Sequence, residues 1–254
     1  MEFNPNLLWN KENKIYIISY KKVENTKISS NKKNKKEIMK LVERIADLFN
    51  FHKAVRITGS LSIYTQIPNK SRLISDVDIN INELNFIHIT KLITKKGYSL
   101  CRLAQRELKD GIRTCVFEEI KPSEFIIRKP SVRTVFLKKN IFKQNHKKSP
   151  LDIIDIFVNY IDKNNWECTY DHRINPIIPE EFEKEIILPK GNIRTVSLKY
   201  MAVVKSILLK NEDLFGIGNK LDREKNKYDL NVILKNIKNA EEIKEILKKR
   251  KTIK

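Results

Sequence analysis

The sequence predicts an α/β (α+β) fold with a mixed sheet, followed by a helical segment. Runs rich in β-branched residues, typical of strands, recur through the first 160 residues. Residues 35–50 instead space their apolar side chains, such as Ile38 and Leu41, three or four apart. That spacing gives a helix one apolar face. After residue 196 the helical spacing continues, which separates a mixed part from a helical part.

The first elements follow from these patterns in order. Residues 14–20 predict a short strand, and the helix over 35–50 comes after a polar loop. Residues 54–60 predict a strand that ends at Gly59, because glycine commonly terminates regular structure. A short helix is predicted over 61–67.

Further strands and one helix complete the mixed part. Asp110 and Gly111 predict a hairpin between the strands over 98–106 and 111–119. The elements are a strand over 76–81, a helix over 86–97, strands over 98–106 and 111–119, and strand-like runs over 131–139 and 151–161.

Pro176 and Pro179 interrupt regular structure, and the composition shifts there. We therefore predict a boundary near 176–190 between an α/β domain, residues 1–180, and a helical C-terminal domain, residues 181–254. The helices of the second domain are predicted over 197–210, 223–238 and 240–251, with Ser197 and Asn239 as N-caps.

The charge of the chain predicts a polyanionic partner. Its 254 residues include 51 Lys and Arg against 31 Asp and Glu, a net charge of +20. Phosphate backbones are the commonest partner of such a surface. A composition rich in Lys, Ile and Asn explains only part of this excess, so we expect contact with nucleic acid.

The cysteines predict a cytoplasmic protein. Cys101, Cys115 and Cys168 are odd in number and lack the spacing of metal ligands, which is typical of reduced thiols. The sequence also lacks an apolar run of membrane-spanning length and the pattern of a secretory leader, so no membrane partner is expected.

Two carboxylates in one predicted strand indicate a metal site. Asp76 and Asp78 would point to the same face, because side chains of a strand alternate. Two such charges repel each other unless a cation lies between them. Mg²⁺ takes carboxylate ligands of this kind together with phosphate oxygens. Gly59 and Ser60, where a strand leads into a helix, would offer N–H groups and a hydroxyl to those phosphates.

A third carboxylate is expected on a neighbouring strand. Such a group would complete a two-metal clamp and help to activate an attacking hydroxyl. Asp155 is the first choice because apolar residues flank it on both sides. Glu118 and Glu119 are reserve candidates, whereas a surface position at the start of a strand is the simpler interpretation of Asp152.

These residues resemble the nucleotidyltransferase signature of the DNA polymerase β-like superfamily. The signature has a Gly-Ser pair, a spacer, and then two aspartates that alternate with hydrophobic residues. The matching positions are Gly59, Ser60, Asp76, Val77, Asp78 and Ile79. The resemblance implies a nucleotidyltransferase domain, a nucleoside triphosphate (NTP) as substrate, and Mg²⁺ or Mn²⁺ held by Asp76, Asp78 and Asp155.

The helical part is similar to the AbiEii/AbiGii-type nucleotidyltransferase toxins. That branch has a lysine in a helix after the catalytic domain, then basic residues and a Lys-Asp-x-x-Asp-Leu run. The resemblance assigns nucleotide binding to Lys205, Arg223, Lys225 and Asp229. Asn226 departs from it, because the branch usually has an aspartate there, and this puts a charged role at that position in doubt.

The resemblance covers about residues 40–236 and implies transfer of a nucleotide to a hydroxyl, with a tRNA or other RNA 3′ end as acceptor. It also implies the toxin of a toxin–antitoxin pair, with a cognate antitoxin as partner. Two other hypotheses stay open at this point. One is an adenylyltransferase with a small-molecule or protein acceptor, and the other is a non-catalytic RNA-binding or antitoxin-like module on the same scaffold.

Overall fold

The computed structural model describes residues 15–21, 32–68, 74, 76–109, 112–128, 133–142, 149–161, 167–169, 183–210, 220–237, 241 and 243. The strands are β1 (Ile15–Lys21), β2 (Val55–Thr58), β3 (Val77–Asn82), β4 (Tyr98–Lys109), β5 (Ile112–Glu119), β6 (Thr134–Lys138), β7 (Ile153–Ile161), β8 (Glu167–Thr169), β9 (Glu183–Leu188) and β10 (Gly191–Val196). The helices are α1 (Lys32–Leu48), α2 (Gly59–Gln66), α3 (Glu83–Lys95), α4 (Pro122–Arg128), α5 (Leu198–Lys210) and α6 (Lys220–Leu234), with a 3₁₀ turn over Lys139–Phe142.

All ten of these strands belong to one mixed sheet. Their order is β1-β5-β4-β6-β7-β3-β2-β10-β9, with β8 paired to β7. The pairs β3–β7 and β2–β10 are parallel, and the other pairs are antiparallel. This architecture confirms the predicted α/β class.

The central strands β2, β3 and β7 lie next to one another and separate a polar face from an apolar one. Val77, Ile79 and Ile81 of β3 are fully buried in the main core. Because side chains alternate along a strand, Asp78 and Asn80 lie on the opposite face. The apolar side is covered in part by α1, whose predicted face is buried.

The predicted elements of the first part agree with the structure to within a few residues. The strand predicted over 76–81 is β3, and the one predicted over 54–60 ends at Thr58, with Gly59 opening α2. The hairpin between β4 and β5 also forms. Helix α4 and strand β8 have no counterpart in the prediction.

The helical prediction for residues 181–254 needs a correction. Strands β9 and β10 form a hairpin there, and β10 extends the sheet beside β2. Strand β9 is at the edge of the sheet and places three charged residues before three apolar ones, whereas β10 lies between β9 and β2. The helices that follow are as expected, and the Ser197 hydroxyl accepts a bond from the N–H of Tyr200, as predicted for an N-cap. The division into domains at 176–190 stays a prediction.

Two predictions fall mainly outside the described residues. They are the helix over 240–251, of which only residues 241 and 243 are described, and its cap Asn239. Cys101 and Cys115 are buried free thiols. In the part of the chain that is described, no helix is long and apolar enough to span a membrane.

Candidate active site

The site begins with three neighbouring strands that place their polar residues side by side. Asp78 of β3 pairs with Asp155 of the parallel strand β7 and with Thr58 of the antiparallel strand β2. Residues directly opposite one another on paired strands point to the same face. The sheet therefore brings together the two carboxylates that the sequence predicted to be close.

Gly59 lies against the carboxylate of Asp78. Its φ of +64° is in the left-handed region, and a Cβ added to it would lie 1.9 Å from Oδ2 of Asp78. Only glycine leaves room for that carboxylate and also adopts this backbone conformation without strain. The spacing between the Gly-Ser pair and the second aspartate thus has a direct structural cause.

Helix α2 starts at this same glycine. Its first turn contains Ser60, and the side chain of the preceding residue, Thr58, makes no capping hydrogen bond. The first N–H groups of a helix have no partner within the helix and carry partial positive charge. The start of α2 therefore offers backbone donors to an anion beside Asp78.

Asp78 is in a strongly repulsive environment. Burial and the negative charges of Asp76 and Asp155 raise its pKa well above the usual range for a carboxyl group. Lys205 and Arg133 act in the opposite direction but do not compensate. A cation bound near Asp78 would relieve this repulsion.

Asp155 differs from Asp78 because it has a cationic partner of its own. Arg133, just before β6, donates from Nε to Oδ1 of Asp155 and from its second nitrogen to Oδ2 at 2.7 Å. Asp155 is 6% exposed. A two-point contact with a guanidinium fixes the orientation of a carboxylate. Asp155 is therefore held in place beside Asp78.

Asp76 and Asp78 are the side chains whose chemistry fits a divalent cation such as Mg²⁺ or Mn²⁺. Both are carboxylates outside the apolar core, and their charges lie close enough to interact. Among the described residues, however, no three His, Cys, Asp or Glu side chains are arranged as a metal-binding group. Asp155 is paired with Arg133 instead. Metal ligation by all three carboxylates stays a prediction.

A buried lysine lies on the opposite side of the cleft. Lys205 of α5 is 6% exposed, and its Nζ lies 3.0 Å from Oδ2 of Asp229 in α6. Nζ also donates to Oδ1 of Asn226 at 2.9 Å. The neutral amide of Asn226 therefore accepts a hydrogen bond from Lys205. The buried positive charge of Lys205 is opposite the buried negative charge of Asp229.

Helix α2 is tied to this pair through Asp229. Ser60 donates from Oγ to Oδ2 of Asp229 at 2.8 Å, and Tyr64 donates from its hydroxyl to Oδ1 at 2.6 Å. Asp229 is completely buried. With three donors around its carboxylate, its geometry is that of a residue that positions Ser60 and Lys205.

These elements enclose a cleft of about 240 Å³. Asp78 and Lys205 supply its charged groups, and Gly59 places the start of α2 in its wall. The rest of its lining is Thr58, Asn80, Phe157, Tyr200, Met201, Val204 and Leu208. A ligand that is anionic in one part and flat and apolar in another would match this lining.

The remaining predicted residues lie elsewhere or have other partners. Arg223 is exposed and Lys225 is partly exposed on α6, which also carries Asp229. Glu118 and Glu119 are on β5, three strands away from β7.

Both glutamates and Asp152 have structural partners. Glu118 binds Arg102 at 2.7 Å, and Glu119 accepts a bond from Tyr16. Asp152 is 1% exposed and accepts a bond from the N–H of Ser149, so its surface interpretation is wrong. Its place in the turn before β7 explains the burial, because the carboxylate satisfies a backbone donor there.

Sequence reasoning missed Arg133, Tyr64 and Asn80. A signal existed for Asn80, since it lies two residues after Asp78 and therefore on the same strand face. Arg133 and Tyr64 are recognisable only when the pairing of β6 with β7 and the packing of α2 against α6 are known.

Comparisons with known proteins give one structural likeness. No protein-family model matches the chain, and no curated protein matches it. Among solved structures, the chain is similar to ANT(2″)-Ia in complex with adenylyl-2″-tobramycin, with 9% sequence identity and a TM-score of 0.45. The match covers 83% of this chain and 94% of that one. A likeness at this level does not bear on substrate or chemistry, which have to be read from the site itself.

Proposed function

We propose that the protein is a metal-dependent nucleotidyltransferase that transfers a nucleoside monophosphate from an NTP to a hydroxyl group. The observation that carries this proposal is the contact of Gly59, at the start of α2, with the carboxylate of Asp78. It places anion-binding backbone donors and a carboxylate of raised pKa at one point. A bound triphosphate and its cation need those two features together.

The proposed reaction is a substitution at the α-phosphorus. The acceptor oxygen forms a bond to that phosphorus, the bond to the pyrophosphate oxygen breaks, and pyrophosphate leaves with the electron pair. Asp155, held by Arg133, orients the acceptor hydroxyl and takes its proton. Lys205 lies in the same cleft and opposes the negative charge that grows on the leaving pyrophosphate.

Asp76 and Asp78 are the residues that would hold Mg²⁺ or Mn²⁺. A divalent cation supplies neutralisation of phosphate charge and fixes the orientation of the triphosphate. Gly59 and Ser60 contribute the first N–H groups of α2 to the phosphates. Arg223 and Lys225, on the same helix as Asp229, are assigned to the outer part of the nucleotide site.

The proposed acceptor is the 3′ end of an RNA, with tRNA as the first candidate. The net charge of +20 supports a polyanionic acceptor, which a small molecule would not require. The toxin role, the cognate antitoxin and the cytoplasmic location rest on the sequence alone and stay predictions.

The test incubates the protein with each α-labelled NTP, Mg²⁺ and total RNA. We expect label on RNA, and we expect periodate oxidation of the RNA 3′ diol to abolish it. The combined variant Asp76→Ala, Asp78→Ala serves as the inactive control. Asp47→Ala, at an exposed position of α1, serves as the matched active one.

Three outcomes would contradict the proposal in different ways. Label that persists after periodate oxidation would place the acceptor hydroxyl away from the RNA 3′ end. Label on small molecules or protein but not on RNA would keep nucleotidyl transfer and overturn the acceptor. Absence of both labelling and NTP binding, with RNA binding retained, would favour the non-catalytic module.

A further inference from the structure

The cleft contains one buried polar group that neither the fold nor the proposed chemistry explains. Asn80 of β3 is 1% exposed, and its Nδ2 has no hydrogen-bond partner among the described residues. Buried polar groups in folded proteins are nearly always paired, because an unpaired donor loses its hydrogen bonds to water without replacement. Because Asn80 lines a cleft, a bound ligand can supply the acceptor that the fold does not.

Asn80 lines the same cleft as Asp78 and lies two residues further along the strand, a distance of about 7 Å. Its partner on β7 is Phe157, which also lines the cleft. Tyr200 and Met201 of α5 contribute further apolar surface. The amide group therefore lies in an apolar part of the cleft, close to the proposed phosphate and metal groups.

This arrangement matches the shape of a nucleotide. In a nucleotide, the ribose lies between the α-phosphate and the base. The distance that it spans is about the distance between two residues i and i+2 of a strand, such as Asp78 and Asn80. The base itself is a flat ring with an apolar surface and a polar edge. Phe157 and Tyr200 suit the ring surface, and the free N–H of Asn80 suits an acceptor on the edge.

We propose that Asn80 determines base specificity by donating a hydrogen bond from Nδ2 to a carbonyl oxygen of the NTP base. This inference rests on the proposed function and specifies its substrate class. Uracil, cytosine, guanine and hypoxanthine carry a carbonyl group, whereas adenine carries none. The protein should therefore bind UTP, CTP and GTP in preference to ATP.

The sharpest test compares two purine nucleotides that differ at one position of the ring edge. ITP has a carbonyl at C6 where ATP has an amino group. Binding is measured by calorimetry in Mg²⁺, with α,β-methylene analogues of both so that no transfer occurs. We expect ITP to bind about tenfold more tightly than ATP, the size typical of one buried hydrogen bond.

The variant Asn80→Leu removes the amide but keeps the number and branching of the side-chain heavy atoms. It should bind both analogues with equal affinity, whereas Asn192→Leu, the same change at an exposed position of β10, should keep the tenfold difference. Thermal melting of both variants checks that they fold. If Asn80→Leu does not fold, Asn80→Ala, which also removes the donor, takes its place.

The outcomes separate this inference from the proposed function. Equal binding of ITP and ATP by the natural protein would overturn base reading but leave the triphosphate site intact. A preference that survives in Asn80→Leu would assign the reading to another residue and overturn the role of Asn80. Failure to bind any triphosphate, with tripolyphosphate as an additional probe, would overturn both.

Discussion

The two sides of the cleft use charge in opposite ways. One side, here called the carboxylate face, consists of Asp76, Asp78 and Asp155 on or next to β3 and β7. The other side, the helical wall, consists of Lys205, Asn226 and Asp229 on α5 and α6. On the carboxylate face, like charges raise the pKa of Asp78. In the helical wall, a buried cation and a buried anion balance each other.

The difference indicates which carboxylate the fold itself satisfies, Asp229, and which one it leaves in a repulsive environment, Asp78. Asp229 is completely buried and its carboxylate is surrounded by donors, so it has reached its final partners without a substrate. In the proposed function, the carboxylate of Asp78 instead interacts with the cation that accompanies the triphosphate. Charge imbalance is costly to a fold, and it concentrates at sites where function requires it.

The largest effect is expected from a double variant of the carboxylate face, which should lose activity but keep its stability. We expect the pair of changes Asp76→Asn and Asp78→Asn to lower nucleotidyl transfer by about a thousandfold or more, because they remove charges that act on the triphosphate and its cation. The free energy of unfolding should not fall, since repulsion is relieved. Transfer rates and urea unfolding of the same preparation check both statements.

Asp47→Asn is the matched control, because it removes one exposed carboxylate of α1 that binds Lys190 at 3.7 Å. It should change neither transfer nor stability to any large extent. A double variant that unfolds more easily than the natural protein would mean that the carboxylate face also stabilises the fold. The carboxylate face and the helical wall would then not differ in this respect.

The residue patterns alone predicted the carboxylate face, whereas Lys205 and Asp229 of the helical wall were named only through a resemblance, for a physical reason. Gly59 and Asp78 belong to local patterns, a strand that ends in a glycine turn and an alternating strand. Asp155 could be chosen from the apolar residues on both sides of it. Asp229 gains its meaning only when α6 packs against α2, and no periodicity reports that contact.

The same limit applies to Arg133 and to the edge of the sheet. Val135 is directly opposite Asp155 in the antiparallel pair, so Arg133 is its diagonal neighbour on the same face. This relation depends on the register of β6 against β7, which cannot be read from the sequence. Strands β9 and β10 were overlooked because each has only six residues, and β9 groups its charged and apolar residues instead of alternating them.

The next prediction tests the charge balance of the helical wall. Asp229→Asn would leave Lys205 as a buried cation without an anion, and we expect a loss of about 3–5 kcal/mol in the free energy of unfolding. The second change Lys205→Met should recover much of that loss, because it removes the uncompensated charge. Urea unfolding of the two single variants and the double variant gives their coupling energy.

Two independent losses that simply add would contradict the ion pair as the organising contact. Tyr64→Phe is the mild control, since it removes one donor to Asp229 and keeps the charge pair. Its expected cost is about 1 kcal/mol.

A smaller effect is expected at the boundary between the two sides, where Arg133 binds Asp155. Arg133→Met should lower the free energy of unfolding by about 2 kcal/mol at neutral pH, because a nearly buried carboxylate loses both of its donors. The same variant should bind Mn²⁺ more tightly than the natural protein, since Asp155 becomes available as a ligand. Paramagnetic resonance titration with Mn²⁺ measures this without any transfer reaction.

Adding Asp155→Asn to Arg133→Met should reverse both changes, with stability rising and Mn²⁺ affinity falling. Unchanged Mn²⁺ affinity in Arg133→Met would mean that Asp155 does not reach the cation even when free. The metal site would then consist of Asp76 and Asp78 alone.

The smallest effect is a pH dependence of stability caused by Asp78. Its pKa is about 4 in the unfolded chain and higher in the fold, where burial and the charges of Asp76 and Asp155 outweigh Lys205 and Arg133. As the pH rises between these two values, the unfolded state releases its proton first, so the fold becomes less stable. Below about pH 4 both states are protonated, and the cost disappears.

In metal-free buffer, Asp78→Asn should therefore melt roughly 2–4 °C higher than the natural protein at neutral pH, equivalent to about 1 kcal/mol, and at the same temperature in acid. Added Mg²⁺ should narrow the difference at neutral pH, because the cation stabilises only the carboxylate. Equal melting temperatures of the two proteins at every pH would show that the environment of Asp78 does not destabilise the fold. The carboxylate face and the helical wall would then differ only in that Asp229 is completely buried.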